Sequence, residues 1–86
     1  MLLAIDSGNT NTVFAIFNDE GAIISQWRAA AKIAKTADEL AVWLSQLMQL
    51  ENISRDDVTE VIIATVVPEN LCDLKTLSSK YFGCKA

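Results

Sequence analysis

The sequence predicts an α/β fold, a mixed sheet with covering helices whose elements run in the order βββαβα. Three observations carry that expectation. Two apolar runs, "LLAID" at 2–6 and "TVFAIF" at 12–17, flank a small polar turn, which is the pattern of a β-hairpin. The segment "TADELAVWLSQLMQL" at 36–50 repeats its apolar residues at helical spacing. The run Val61 to Val67 is too short and too β-branched for a helix and suits a strand buried on both faces.

Taken in order, the hairpin is followed by "NDEG" at 18–21, a second turn in which Gly21 is free to take a positive φ. "AIISQWRA" at 22–29 then supplies a third antiparallel strand. Thr36 and Glu39 have the spacing of a capping box and open the first helix. Leu40, Trp43, Leu44, Leu47 and Met48 fall at i, i+3, i+4, i+7 and i+8, one continuous stripe that reads as core rather than as a stacking box. The succession of strand, helix and buried strand implies a right-handed parallel crossover. Pro68 and Glu69 suit the first turn of a second helix, which carries Leu71, Leu74 and Tyr81 inward and ends near Gly83. A doubly buried strand with two helices to cover it is unfinished, which points to part of a longer chain or to an obligate oligomer.

Composition narrows the classes of function. Eighty-six residues allow one domain, and 51% hydrophobic residues with one proline and three glycines describe a packed globular piece. The net charge of -4 and the absence of histidine argue against a nucleic-acid surface and remove the commonest general base. Cys72 and Cys84 stand twelve apart with no metal-ligand spacing, as buried or incidental thiols do in a reducing compartment. No apolar run approaches the roughly 20 residues of a membrane span, so no membrane partner is expected and the location expected is cytoplasmic. Glu51, Asp56, Asp57 and Glu60 flank a helix-to-strand connection and read as solvated acids.

The chemistry is concentrated in "DSGNTNT", where a buried-looking Asp6 ends the first strand. Gly8 removes a Cβ where a backbone turns sharply or approaches a ligand, through either a positive φ or close contact. Ser7, Asn9, Thr10, Asn11 and Thr12 surround the turn with hydroxyls and amides. This is neither a Walker loop nor a dinucleotide fingerprint, since no Gly-Lys-Ser/Thr follows and the next element is a strand. A carboxylate beside a polyphosphate needs a cation between them, and magnesium is the natural mediator, held by Asp6 through water and by phosphate oxygens. A polar hairpin turn in which Asp6 bonds backbone N–H groups fits the same letters.

These residues also carry a resemblance. "MLLAIDSGNTNTVFAIF" resembles the first phosphate-binding motif of the actin, hexokinase and heat-shock chaperone ATPase superfamily, and is most similar to type III pantothenate kinase. "QWR" at 26–28, "TADELAVWLSQLM" at 36–48, "VIIATVVP" at 61–68 and "KYFG" at 80–83 extend the match in order over essentially the whole chain. The resemblance implies that residues 1–86 are the amino-terminal part of a ribonuclease H-like ATP-binding domain. It implies ATP-dependent phosphorylation of pantothenate to 4'-phosphopantothenate, the first step of coenzyme A biosynthesis, with magnesium and a monovalent cation, potassium or ammonium. It implies ATP and pantothenate as partners and a homodimer, in which Trp27 and Arg28 serve either packing or a subunit contact. Its ATP loop falls on Asp6, Ser7, Gly8, Asn9, Thr10, Asn11, Thr12 and Val13, with Asp6 serving the metal. The catalytic aspartate, the Gly-Xaa-Asp-Arg substrate motif and the second phosphate motif are expected beyond residue 86.

The chain departs from the family where Ala29 and Ala30 replace Thr-Ser, and where Ala64 and Thr65 replace Ser-Ser. Pro68 marks a strand end where Thr65 or Glu69 can approach a ligand. Two other functions compatible with the resemblance are a non-catalytic regulator like the Bvg accessory factor and an inactive truncated fragment; the acidic balance speaks against direct DNA contact.

Overall fold

A computed structural model describes residues 1–30 and 36–84. Strands β1 (Leu2–Ser7), β2 (Asn11–Phe17) and β3 (Ile23–Ala30) precede helix α1 (Ala37–Leu50), strand β4 (Glu60–Thr65) and helix α2 (Leu71–Phe82). Two short 3₁₀ turns, Arg55–Asp57 and Pro68–Asn70, lie on either side of β4. The sheet order is β3-β2-β1-β4, with β1 antiparallel to β2, β2 antiparallel to β3, and β4 parallel to β1. The βββαβα order therefore holds, and β4 runs parallel to β3, the strand from which the chain crosses over.

Local chemistry explains the boundaries. Asn18 Oδ1 accepts from the N–H groups of Glu20 and Ala22, and Gly21 takes φ 83°, which together close the second hairpin. Thr36 and Glu39 form the reciprocal capping box at the start of α1, with Thr36 Oγ1 accepting from Glu39 N at 3.2 Å and Glu39 Oε1 accepting from Thr36 N at 3.0 Å. Gly83, at φ 65°, ends α2 in the left-handed conformation that glycine tolerates best. Pro68 and Glu69 form a separate 3₁₀ turn instead of the first turn of α2, which begins at Leu71.

Alternation along the strands sends Leu3, Ile5, Phe14, Ile16 and Val61 to one face of the sheet. There they meet Leu40, Ala41, Leu44 and Met48 of α1 and Leu74, Leu77 and Phe82 of α2 in a continuous core. Trp43 lies half-buried with its ring edge-on to Phe14, centroids 5.5 Å apart, so Leu40, Trp43, Leu44 and Met48 of the predicted stripe stand in or against the core, whereas Leu47 is half-buried outside it and Ala41 joins in its place. Across the outside of the helix pair, Asp38 accepts hydrogen bonds from the Tyr81 hydroxyl and, at 3.0 Å, from Lys80 Nζ.

Both helices pack against the same face, and this corrects one expectation. β4 ends at Thr65 and is buried on one face only: Val61 is 6% exposed, whereas Ile62 is 55% exposed and Val66, just past the strand, 69%. The register puts Ile62 beside Ala4 and Ala64 beside Asp6, so the even-numbered positions of β1 and β4 share the uncovered face. Apolar character marked a buried strand, but burial on a second face requires a second layer.

Candidate functional site

The loop between β1 and β2 sits where β1 and β4 both reach their carboxyl ends, the edge at which α/β sheets with parallel strands bind ligands. Strand alternation divides its residues between two environments. Asp6 faces the uncovered side and is exposed, a correction to its buried appearance in the sequence. Its neighbours across the sheet are Val13 of β2 and Ala64 of β4, and Arg28 of β3 pairs with Val13 one strand further on. Among the described residues the carboxylate of Asp6 has no hydrogen-bond or ion-pair partner. It is thus not the acceptor of an Asx-type turn.

Ser7 and Thr12, which pair with each other, point to the opposite face and are buried, Ser7 completely. Between them the turn is closed by a hydrogen bond from Gly8 N to Asn11 O at 2.9 Å. Gly8 does not use a positive φ; among the described residues the glycines that do are Gly21 and Gly83. Its requirement is space, because a Cβ at Gly8 would lie 3.2 Å from Asn11 O. Asn9 and Thr10 are exposed at the apex, and among the described residues their N–H groups donate to no protein acceptor. The loop thus carries two exposed residues whose N–H groups are without a protein acceptor and, three positions earlier, a carboxylate without a partner among the described residues.

Beneath the loop, the β4–α2 connection closes on β1. Val66 N donates to Ser7 O at 3.1 Å, and Asn70 Nδ2 donates to Ser7 Oγ at 3.2 Å. Thr65 Oγ1 accepts from Val67 N at 2.9 Å, which makes it a turn residue there. Glu69 is exposed on the 3₁₀ turn. The contact of Asn70 with Ser7 spans 63 positions, and no local motif foreshadows it.

Other candidates fall elsewhere. Glu51, Asp56, Asp57 and Glu60 are exposed as expected; Glu51 accepts a hydrogen bond from Ser25, and Asp57 caps Ser54 N. Among the described residues no group of three or more His, Cys, Asp or Glu could hold a metal ion. Asp6 alone suits a magnesium ion whose other ligands are water and phosphate. Both cysteines are free thiols, Cys84 buried and Cys72 exposed. Trp27 is partly buried against the core, whereas Arg28 is exposed. A surface hollow of about 470 Å³ lined by Ser45, Gln49, Asn52, Ile53, Ser54 and Arg55 contains none of the loop residues. Among the described residues no helix is long and apolar enough to cross a membrane.

The sheet order β3-β2-β1-β4, with a loop at the carboxyl ends of the parallel pair β1 and β4, defines an α/β domain with a mixed sheet. A crystal structure of a protein assigned as a 2-dehydro-3-deoxygalactonokinase, from Sinorhizobium meliloti, shares this fold with a TM-score of 0.54 at 18% identity, over 77% of the present chain and 21% of its own. Within that class the chain belongs to the type III pantothenate kinase family, whose model matches residues 2–86. Curated relatives of that name include those of Rhizorhabdus wittichii, 59% identical over 86 residues, and Zymomonas mobilis, 54% identical over 86 residues. These alignments cover 100% of this chain but 33% and 31% of the relatives, so the chain spans about a third of their length.

Proposed function

We propose that residues 1–86 form the amino-terminal part of the ATP-binding domain of a kinase that transfers the γ-phosphoryl group of ATP to pantothenate, giving 4'-phosphopantothenate. The observation that carries this reading is the exposed carboxylate of Asp6, which among the described residues has no hydrogen-bond or ion-pair partner, in the same loop as the N–H groups of Asn9 and Thr10, which donate to no acceptor among those residues. A free acid beside a cluster of anion donors is an unfavourable pairing until a cation joins it to a polyphosphate. Family membership supplies the substrate. In this reading Asp6 holds a magnesium ion that neutralises phosphate charge, and Gly8 to Thr10 cradle the phosphates. Ser7, Asn11, Thr12 and Val13 shape the loop from the strand ends. Phosphoryl transfer needs positioning and charge neutralisation more than covalent chemistry, and this segment supplies one half of that work. The general base and the pantothenate contacts belong to the further two-thirds that the relatives possess. A potassium or ammonium ion and a homodimer, which the resemblance implies, complete the reading, together with the cytoplasmic residence expected from the sequence.

The test is a full-length protein carrying residues 1–86, incubated with magnesium, potassium, ATP and pantothenate and assayed for phosphopantothenate by mass spectrometry. Product above a no-protein control is expected. ATP turnover without any loss of pantothenate would refute the substrate, and no nucleotide binding at all would refute the loop. Residues 1–86 alone should give no product, because half a cleft neither aligns the reactants nor excludes water.

A further inference from the structure

The hydrogen bonds around Ser7 form a closed circuit. Thr65 Oγ1 accepts from Val67 N at 2.9 Å, Val67 O accepts from Asn70 N at 3.0 Å, and Asn70 Nδ2 reaches Ser7 Oγ at 3.2 Å. Ser7 O then accepts from Val66 N at 3.1 Å, returning the circuit to the strand end where it began. Ser7 is the last residue of β1 and is 0% exposed. Water cannot replace a partner there, so a hydroxyl at that depth depends on the asparagine. Ser7 also separates Asp6 from Gly8. Because alternate residues of a strand face opposite ways, holding the Ser7 side chain on the helix face sets the direction in which the Asp6 carboxylate points and the place where the turn at Gly8 begins.

We infer that Asn70 is a positioning residue for the nucleotide-phosphate loop, acting through the Ser7 hydroxyl rather than by touching the ligand. The inference rests on the ATP-loop reading above. It assigns a role to the β4–α2 connection, whose 3₁₀ turn delivers the Asn70 side chain to the base of the loop. Loss of the amide leaves a buried hydroxyl unpaired and frees the strand end on which the loop is built, so the cost falls on magnesium-ATP.

The experiment is a double-mutant cycle in the full-length protein with Asn70→Ala, Ser7→Ala and the double substitution. The readouts are the Kd for magnesium-ATP by calorimetry, the KM for ATP and for pantothenate, and the melting temperature. Each single substitution should weaken magnesium-ATP binding by about three- to tenfold, the range of one side-chain hydrogen bond. The KM for pantothenate should stay within about twofold. The double variant should be no weaker than the worse single one, since both remove the same interaction. It removes donor and acceptor together, so it keeps the test valid if Asn70→Ala alone fails to fold. Multiplicative losses in the cycle, an equal rise in both KM values, or unchanged ATP affinity with a lowered melting temperature would each overturn the inference. Nucleotide binding that follows the cycle, in a protein that makes no phosphopantothenate, would uphold the positioning role while overturning the kinase assignment.

Discussion

Replacing Asp6 by asparagine separates a metal-serving carboxylate from a structural one. The side chain lies on the uncovered face of the sheet between Val13 and Ala64, neither of which offers it a polar side-chain partner. Among the described residues the carboxylate makes no hydrogen bond or ion pair, so the near-isosteric amide forfeits no contact of the fold. Surface changes of that kind stay within about 0.5 kcal/mol of stability. The catalytic cost is of another size, because a carboxylate that positions the charge-neutralising cation belongs to the preorganised electrostatics of the site, and removing a single such group costs about 10²–10³ in kcat. If the proposed activity holds, Asp6→Asn in the full-length protein should therefore lower magnesium-dependent turnover by about two orders of magnitude while the urea midpoint scarcely moves. Initial rates over a magnesium titration, paired with denaturation of the same preparation, measure both quantities. Unchanged rates with a large loss of stability would show that Asp6 belongs to the structure and that the metal reading is wrong.

Gly8→Ala places a Cβ 3.2 Å from Asn11 O, a backbone acceptor that cannot swing aside, and so loosens the 2.9 Å bond that closes the turn. The KM for ATP should rise about three- to tenfold, and an unaltered ATP affinity would argue against a phosphate cradle. Leu44→Ala removes a fully buried side chain of α1 and should cost about 3 kcal/mol, read as a lower urea midpoint at unchanged slope; a negligible shift would contradict the core described above. The Tyr81 hydroxyl, and after it Lys80, hold the Asp38 carboxyl below its ordinary 3.8, and Asp38 holds Lys80 above its ordinary 10.5. The carboxylate's contribution is therefore complete above about 3.8 and lost as pH falls through its lowered value; that of Lys80 is complete below about 10.5 and lost as pH rises through its raised value. Asp38→Asn should flatten both flanks of a stability-against-pH curve, with a small effect between them because the pair is exposed to solvent; parallel curves for the two proteins would refute this.

Element order and the loop were legible in the sequence because both are written in short-range signals. The capping box at Thr36 and Glu39, the stripe of Leu40, Trp43, Leu44 and Met48, from which Leu47 departs, and the left-handed termination at Gly83 each lie within about two or three helical turns, and each stands where its spacing put it. The letters "DSGNT" likewise identify a turn, and one stands there between β1 and β2. Tertiary structure decided the rest, because side-chain environment depends on what the chain brings back from a distance. Asp6 followed an apolar run and read as buried, yet strand alternation and the placing of both helices on one side leave it exposed. Val61 to Val67 has the composition of a doubly buried strand, but among the described residues Ile62 and Val66 have no layer to meet. Gly8 is needed for the proximity of Asn11 O and not for a positive φ, a distinction that composition cannot express. Asn70 carried no signal at all, since its meaning comes from a partner 63 residues away that only the parallel pairing of β1 with β4 brings within reach.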